Sequence, residues 1–346
     1  MKAEMKRRAM SMSGAAAKPV GPPSDEDAGQ TGSAQWPFQL RRMGGNLGAE
    51  VSGLDLRRPL GNREFDALYA AFVRHEVLVF RDQGVTLEQQ MTFARRFGDL
   101  SIHPFSPNLD DKREVIVLDY SADNPPALTD QWHSDETFRA APPKATVLRA
   151  RVVPEYGGDT LFCSMTAAYV GLSERMKQYI HGLDAVHDFK PWRPLFSDSP
   201  AHQEKLRAIE RQFPNPLHPV VRIHPDSGRR LLNVNAQFTV RINGLKEEES
   251  ALILQYLYRR AHVPEYQLRV RWQPDTIVIW DNRSVQHYAP HDYYPQRRTM
   301  DRVTVAGEPV VGVNEPYSRE EVAALPDGRA HKPRAGAKRP IREFER

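Results

Sequence analysis

The chain alternates short apolar runs with amphipathic stretches and carries no single period throughout. Glu76-Val77-Leu78-Val79-Phe80 is an apolar run of strand type. Thr86-Leu87-Glu88-Gln89 opens a helix as a capping box, in which a hydroxyl and a side-chain amide serve backbone N–H groups that lack helical partners. That helix ends before Gly98. Residues 145–153 (ATVLRARVV) alternate apolar and polar positions, the pattern of a half-buried strand. Helices are predicted over 166–181 and 246–262, the second with Leu252, Ile253, Tyr256 and Leu257 on one stripe. Closely spaced strands are predicted at Leu268–Trp272, Thr276–Trp280 and Arg302–Val305. Short strands, long excursions and few helices predict an α+β fold with an antiparallel sandwich or barrel core.

Composition sharpens the boundaries. Residues 1–36 are small, polar and rich in Pro and Gly, and read as a disordered leader without the apolar run of a signal peptide. Residues 315–346 read as a basic, disordered tail, leaving 37–314 as one folded domain. No stretch approaches the roughly 18 consecutive apolar residues of a membrane span. Cys163, the single cysteine, excludes an internal disulfide framework and a cysteine-built metal site, so a cytoplasmic setting is expected. The net charge of +4 raises the question of a polyanionic partner. Residues 329–346 hold seven Lys and Arg against two Glu, so the surplus sits in the tail. No nucleic-acid partner is expected for the body.

Candidate chemistry begins with His133-Ser134-Asp135. Residues one apart can project to the same side of a strand edge, where an imidazole and a carboxylate can share a metal. A third ligand would complete the facial triad used by non-haem iron oxygenases. The spacing alone is equally compatible with a polar loop. A second such pair, His224-Pro225-Asp226, runs into Ser227-Gly228 and reads as a surface turn. Downstream, Trp280-Asp281-Asn282 is followed by His287, Arg298 and Arg302. On a strand, positions 298 and 302 share a face, and two cations aimed into a core require anions to meet them. A salt-bridged surface strand and a core histidine would explain the same residues.

Taken together, these segments resemble the Fe(II)/2-oxoglutarate dioxygenases of the taurine dioxygenase and 2,4-dichlorophenoxyacetate dioxygenase (TauD/TfdA) family. The resemblance runs from about Leu40 to Gly312 and includes LGAEVSGLDLRRPL, VLVFRDQ, FARRFGDL, WHSDETF, GGDTLFCSM, HPVVRIHPDSG and the long WDNR…QHY…PQRR…DR segment. It implies a double-stranded β-helix (jelly-roll) core with flanking helices, often assembled as a dimer or tetramer. It implies His133, Asp135 and His287 as iron ligands, and Thr160 and Arg298 as the grip on the distal carboxylate of 2-oxoglutarate. Arg302 and His103 match positions that hold a substrate sulfonate, and Phe238 matches an aromatic residue of the pocket. Fe(II) is the implied cofactor, with 2-oxoglutarate and O2 as co-substrates and succinate as a product.

Two departures bear on the substrate. Taurine-specific members have a tyrosine where this chain has Ser106 and an asparagine where it has Thr129. Both positions face the amine end of taurine, so the anion grip is kept while the amine end differs. The expected substrate is therefore a small organic acid: taurine or a related alkylsulfonate, or a sulfate ester. An aryloxyalkanoate or other carboxylate is the alternative. Hydroxylation at a carbon bonded to sulfur or oxygen would fragment the product. A catalytically inactive protein that binds polyanions or partners through its basic tail is the competing class.

Overall fold

The computed structural model describes residues 36–106, 108–314 and 317; the readings of the leader and of nearly all the tail fall outside these residues. The described strands are β1 (Gln39–Arg42), β2 (Ala49–Ser52), β3 (Val77–Phe80), β4 (Leu100–Ser101), β5 (Val115–Tyr120) and β6 (Ala145–Val152). They continue with β7 (Thr160–Ser164), β8 (Asp184–His187), β9 (Leu217–Pro219), β10 (Val221–Ile223) and β11 (Arg230–Leu232). The last are β12 (Thr239–Ile242), β13 (Gln267–Val270), β14 (Ile277–Asp281), β15 (Val285–Tyr288) and β16 (Arg298–Val305). Helices are α1 (Asn62–His75), α2 (Leu87–Arg95), α3 (Met165–Val170), α4 (Glu174–Ile180), α5 (Pro200–Gln212) and α6 (Glu247–Tyr258).

The main sheet runs β1-β2-β3-β14-β6-β16-β4, with β5 also paired to β16. All of its pairings are antiparallel except β2 with β3. A smaller sheet, β13-β7-β15, is antiparallel throughout. Alternation along β3 and β14 sends Leu78, Phe80, Ile277 and Ile279 to one face, where they bury against Leu68 and Phe72 of α1 and Met91 and Phe93 of α2. The opposite face offers Val77, Val79, Val278, Trp280 and Met300. These pack against Phe162, Leu268, Val270 and Val285 of the smaller sheet. The architecture is α+β, with two sheets face to face and helices outside the larger one.

Local readings differ from the structure at three places. The helix predicted over 166–181 is broken into α3 and α4. The chain pauses at Gly171, where a Cβ would lie 1.8 Å from the Tyr266 hydroxyl, and Ser173 caps α4 by accepting from Met176 N. In α6, Leu252 and Tyr256 are exposed, and the inward stripe is Ser250, Leu254 and Leu257. The helix also ends at Tyr258, and Arg259–His262 continues as a 3₁₀ turn. Strand β16 begins at Arg298, four residues earlier than predicted, and so contains both arginines.

Leu254→Ala is expected to lower stability by about 2–4 kcal/mol, because it opens a cavity in the core. Leu252→Ala is expected to stay within about 0.5 kcal/mol. Urea unfolding of the two variants decides which face of α6 is buried.

Candidate active site

The site lies between the two sheets, and backbone pairing positions its imidazoles. His133 forms an isolated antiparallel bridge with His287 of β15. His133 N donates to His287 O at 3.1 Å, and His287 N donates to His133 O at 2.8 Å. Their ring centroids are 4.2 Å apart. Asp135 follows at the start of a turn, and one ligand atom from each of His133, Asp135 and His287 falls within 4.8 Å of the others. Each Nε2 is 3.7–3.8 Å from Asp135 Oδ1, too far for a hydrogen bond. All three residues are buried.

Their protonation suits a divalent cation. Burial drives His287 down to about 3 and lowers His133, so both imidazoles are neutral. The His133 Nδ1–H donates to Gln131 O at 2.7 Å, which leaves the Nε2 lone pair free. Burial alone would raise the Asp135 carboxyl. Arg302 and the Thr146 hydroxyl outweigh it and hold the group ionised. Two neutral nitrogens and one carboxylate oxygen form a fitting donor set for a first-row divalent metal.

The carboxylate is oriented from behind. Thr146 Oγ1 on β6 donates to Asp135 Oδ2 at 2.7 Å. Asn282 Nδ2 donates to Thr146 Oγ1 at 2.9 Å, and Trp280 Nε1 donates to Asn282 Oδ1 at 2.9 Å. This buried relay fixes Oδ2 and leaves Oδ1 facing the imidazoles. The sequence signal for Asn282 was its place in the WDN motif. Nothing marked Thr146, which reads as one more small residue of an alternating strand.

Strand β16 supplies the cations. Arg298, Met300 and Arg302 share the face turned toward the smaller sheet, as their parity predicts. Arg298 donates from Nε to Gly158 O at 3.0 Å, while its buried Nη2 has no hydrogen-bond partner among the described residues. Gly158 has φ +67°, and a Cβ there would meet Arg298 Cδ at 3.1 Å, so only glycine seats this guanidinium. Thr160 Oγ1 accepts from Trp272 Nε1 at 3.0 Å, which leaves its own O–H free to donate. Thr160, Arg298, Tyr120 and Tyr293 line a cavity of about 60 Å³ that reaches His133 and His287. A buried guanidinium without an anion is costly, and a small carboxylate in this cavity would satisfy it.

Arg302 Nη2 lies 2.9 Å from Asp135 Oδ1. His103 is buried, and its Nδ1 accepts from Phe105 N at 3.2 Å and Ser106 N at 3.0 Å. The imidazole proton therefore sits on Nε2. Burial and the nearby Arg302 bring His103 down to about 3, so it is a neutral donor. Phe238 stands edge-on to His133, with centroids 6.3 Å apart. The structure thus gathers all eight predicted residues around one centre. His224 and Asp226 lie apart from it. The turn is there, but His224 is not on the surface: it is buried, with Nε2 3.0 Å from Asp281 Oδ2.

Comparison with known proteins agrees with this geometry. The profile of the "Taurine catabolism dioxygenase TauD, TfdA family" matches residues 39–304. An alpha-ketoglutarate-dependent sulfate ester dioxygenase of Pseudomonas putida is 38% identical, over 82% of this chain and 94% of that protein. An alkylsulfatase of Acinetobacter baylyi is 36% identical, over 80% and 87%. Among solved structures, a taurine dioxygenase from Burkholderia xenovorans superposes with a TM-score of 0.68 at 32% identity, covering 80% of this chain and 93% of that one.

Thr146→Val keeps the shape of the side chain and removes the hydroxyl. It is expected to weaken Mn(II) binding about 10–100-fold, the usual cost of losing a group that orients a metal ligand. Calorimetry on the metal-free protein reads this without any turnover, and Thr146→Ser is expected to restore it.

Proposed function

The chain belongs to the TauD, TfdA family of 2-oxoglutarate-dependent dioxygenases, and within that family we propose that it is an Fe(II) enzyme hydroxylating a small organic sulfate or sulfonate, built on a jelly-roll core. The observation that carries this reading is the buried His133/Asp135/His287 cluster flanked by two inward arginines of one strand. His133, Asp135 and His287 would hold the metal. Bound there, Fe(II) supplies the means to use O2, one oxygen atom passing to a substrate C–H and the other to succinate as 2-oxoglutarate loses CO2. Manganese substitutes as a probe of the same donor set.

The protein's own groups do the rest. Arg298 and Thr160 hold the distal carboxylate of 2-oxoglutarate: the free Nη2 and the free hydroxyl both point to an anion-accepting cavity. Arg302 and His103 hold the substrate anion, the first by charge and the second as a neutral Nε2–H donor. Phe238 closes the space beside His133 and excludes water from the reacting carbon.

A sulfate ester is favoured over taurine on this chain's own residues. Thr129 Oγ1 is engaged with His291 Nε2 at 2.8 Å, and Ser106 contributes its backbone N–H to His103. Neither offers a carboxylate or amide oxygen to an ammonium tail. Hydroxylation of the carbon bearing the ester oxygen gives a hemiacetal-like sulfate, which separates into inorganic sulfate and an aldehyde. The two relatives that act on sulfate esters support the same class.

The test is succinate formation with an organic sulfate, together with equal sulfate release, and dependence on both Fe(II) and O2. Arg298→Ala is expected to raise KM for 2-oxoglutarate about 100-fold, the loss of a charge-assisted pair. Arg302→Ala is expected to act on the KM of the sulfate instead. If no alkyl sulfate, alkylsulfonate or aryloxyacid raises succinate formation above the rate without substrate, the substrate class is wrong.

No helix among the described residues is long and apolar enough to cross a membrane.

A further inference from the structure

The second His-x-Asp pair, His224-Pro225-Asp226, takes no part in the chemistry proposed for the site, yet it is not free surface. It opens the turn between β10 and β11, which form a two-stranded sheet of their own. His224 Nδ1 accepts from Asp226 N and Ser227 N, each at 3.2 Å, so the imidazole proton sits on Nε2. That Nε2–H donates to Asp281 Oδ2 at 3.0 Å. Asp226 Oδ2 meets Arg283 Nη2 at 2.8 Å and accepts from the Tyr69 hydroxyl at 2.7 Å. Arg283 closes the square on Asp281, donating from Nε to Oδ1 and from Nη2 to Oδ2, both at 2.8 Å. His224, Asp281 and Arg283 are all buried.

What this square holds is the connection from β14 to β15. Ser284 N donates to Asp281 O at 3.1 Å, which closes a tight turn over residues 281–284. Arg283 N also donates to Asp281 Oδ1 at 3.0 Å. Both oxygens of Asp281 are therefore engaged, Oδ1 from within the turn and Oδ2 by His224 and Arg283 together. The carboxylate cannot rotate without breaking buried hydrogen bonds, each of which is costly to leave unmade. The next residue is Asn282, whose amide donates to Thr146 Oγ1, which in turn donates to Asp135. A chain of contacts thus runs from the hairpin to the carboxylate of the metal-binding cluster, through His224, Asp281, Asn282, Thr146 and Asp135.

Stability is a poor account of this cluster. A buried set of charges gains little over apolar side chains of similar volume, because desolvation offsets the attraction. What the square supplies is direction at Asp281, and through it the set of the turn that carries Asn282. Resting on the reading of His133, Asp135 and His287 as the metal-binding centre, we infer that His224 and Asp226 are positioning residues of that centre, keyed to it through Asp281, Asn282 and Thr146. One His-x-Asp pair binds the metal, and the other braces the turn behind it.

The experiment measures Mn(II) binding to the metal-free full chain by calorimetry, while urea unfolding of each variant reads stability separately. His224→Leu removes the Nε2–H donor and is expected to weaken Mn(II) binding about tenfold, the lower end of what losing an outer orienting group costs. His224→Gln, whose amide can donate to Asp281, is expected to restore most of that affinity. In the Thr146→Val background, His224→Leu is expected to cost less than about twofold, because residues acting along one chain of contacts do not add. Asp226→Asn carries the same test if leucine at position 224 prevents folding, since the Asp226 side chain is 34% exposed. It is expected to weaken Mn(II) binding in the wild-type background and to have little effect once Thr146 is valine. A folded variant of the pair that loses stability but keeps wild-type Mn(II) affinity overturns the inference, as does a loss that persists in full with valine at position 146. A wild-type protein that binds no Mn(II) instead overturns the metal-centre reading on which the inference rests, and the inference with it.

Discussion

Charge buried between two sheets is the constraint on which the rest of this structure depends. Asp135, Arg298 and Arg302 all sit in or beside the inter-sheet space that Val77, Val278, Phe162 and Val285 fill with hydrocarbon. An ion moved there from water costs several kcal/mol even after relaxation, and a whole domain is stable by only about 5–15 kcal/mol. Such a cluster persists only if each charge has a partner or a role. Asp135 is met by Arg302 and by the Thr146 hydroxyl. Arg298 is only partly met, by one carbonyl and by the ring faces of Trp272 and Tyr293. The residual deficit at Arg298 is the molecule's strongest pointer to an anionic co-substrate, because stability alone would favour an apolar residue in its place.

The same constraint explains why the charged groups ride on firmly paired backbone. The metal-binding imidazoles are tied by a backbone bridge, and the arginines ride on the strand that contacts β5 and β6 along most of its length. Slipping β16 by one residue would turn both guanidiniums away from the inter-sheet space and carry Asp301 inward. Register is thereby linked to function. Beside that ladder, Phe105, Phe138, Phe189, Trp192 and Phe238 pack into an aromatic cluster that reaches His133 through Phe238.

Legibility in the sequence starts from that ladder. The parity of Arg298 and Arg302 was readable because strand geometry ties spacing to facing, whereas WHSDETF and GGDTLFCSM were readable only through their resemblance to a known family. The break between α3 and α4 was not, because it depends on Tyr266 approaching Gly171 from nearly a hundred residues away. Leu252 and Tyr256 misled because a helix that is apolar nearly all round gives no unique inward stripe; Ser250 is buried on the true one, its hydroxyl accepting from Ile242 N. His224 misled in another way. Its turn is local and was legible, but its buried partner is Asp281 at the end of β14, far off in the chain. Thr146 left no local mark, since a hydroxyl acquires its role only from what tertiary packing sets beside it.

This arrangement bears on how substrates would be told apart. On the function proposed above, an anion grip built from Arg302 and a neutral His103 recognises charge and shape at one end, and sulfate, sulfonate and carboxylate all present oxygens to it. Discrimination among them is therefore weak at that end and must come from where the reacting carbon is placed. Keeping His103 neutral serves this purpose, because a second full cation would strengthen anion binding uniformly, in the ground state and the transition state alike. With the anion held but not overbound, the distance from that grip to the reacting carbon determines which carbon lies over the His133/Asp135/His287 centre. On this reading selectivity is a matter of distance along the substrate, measured from the strand that carries Arg302.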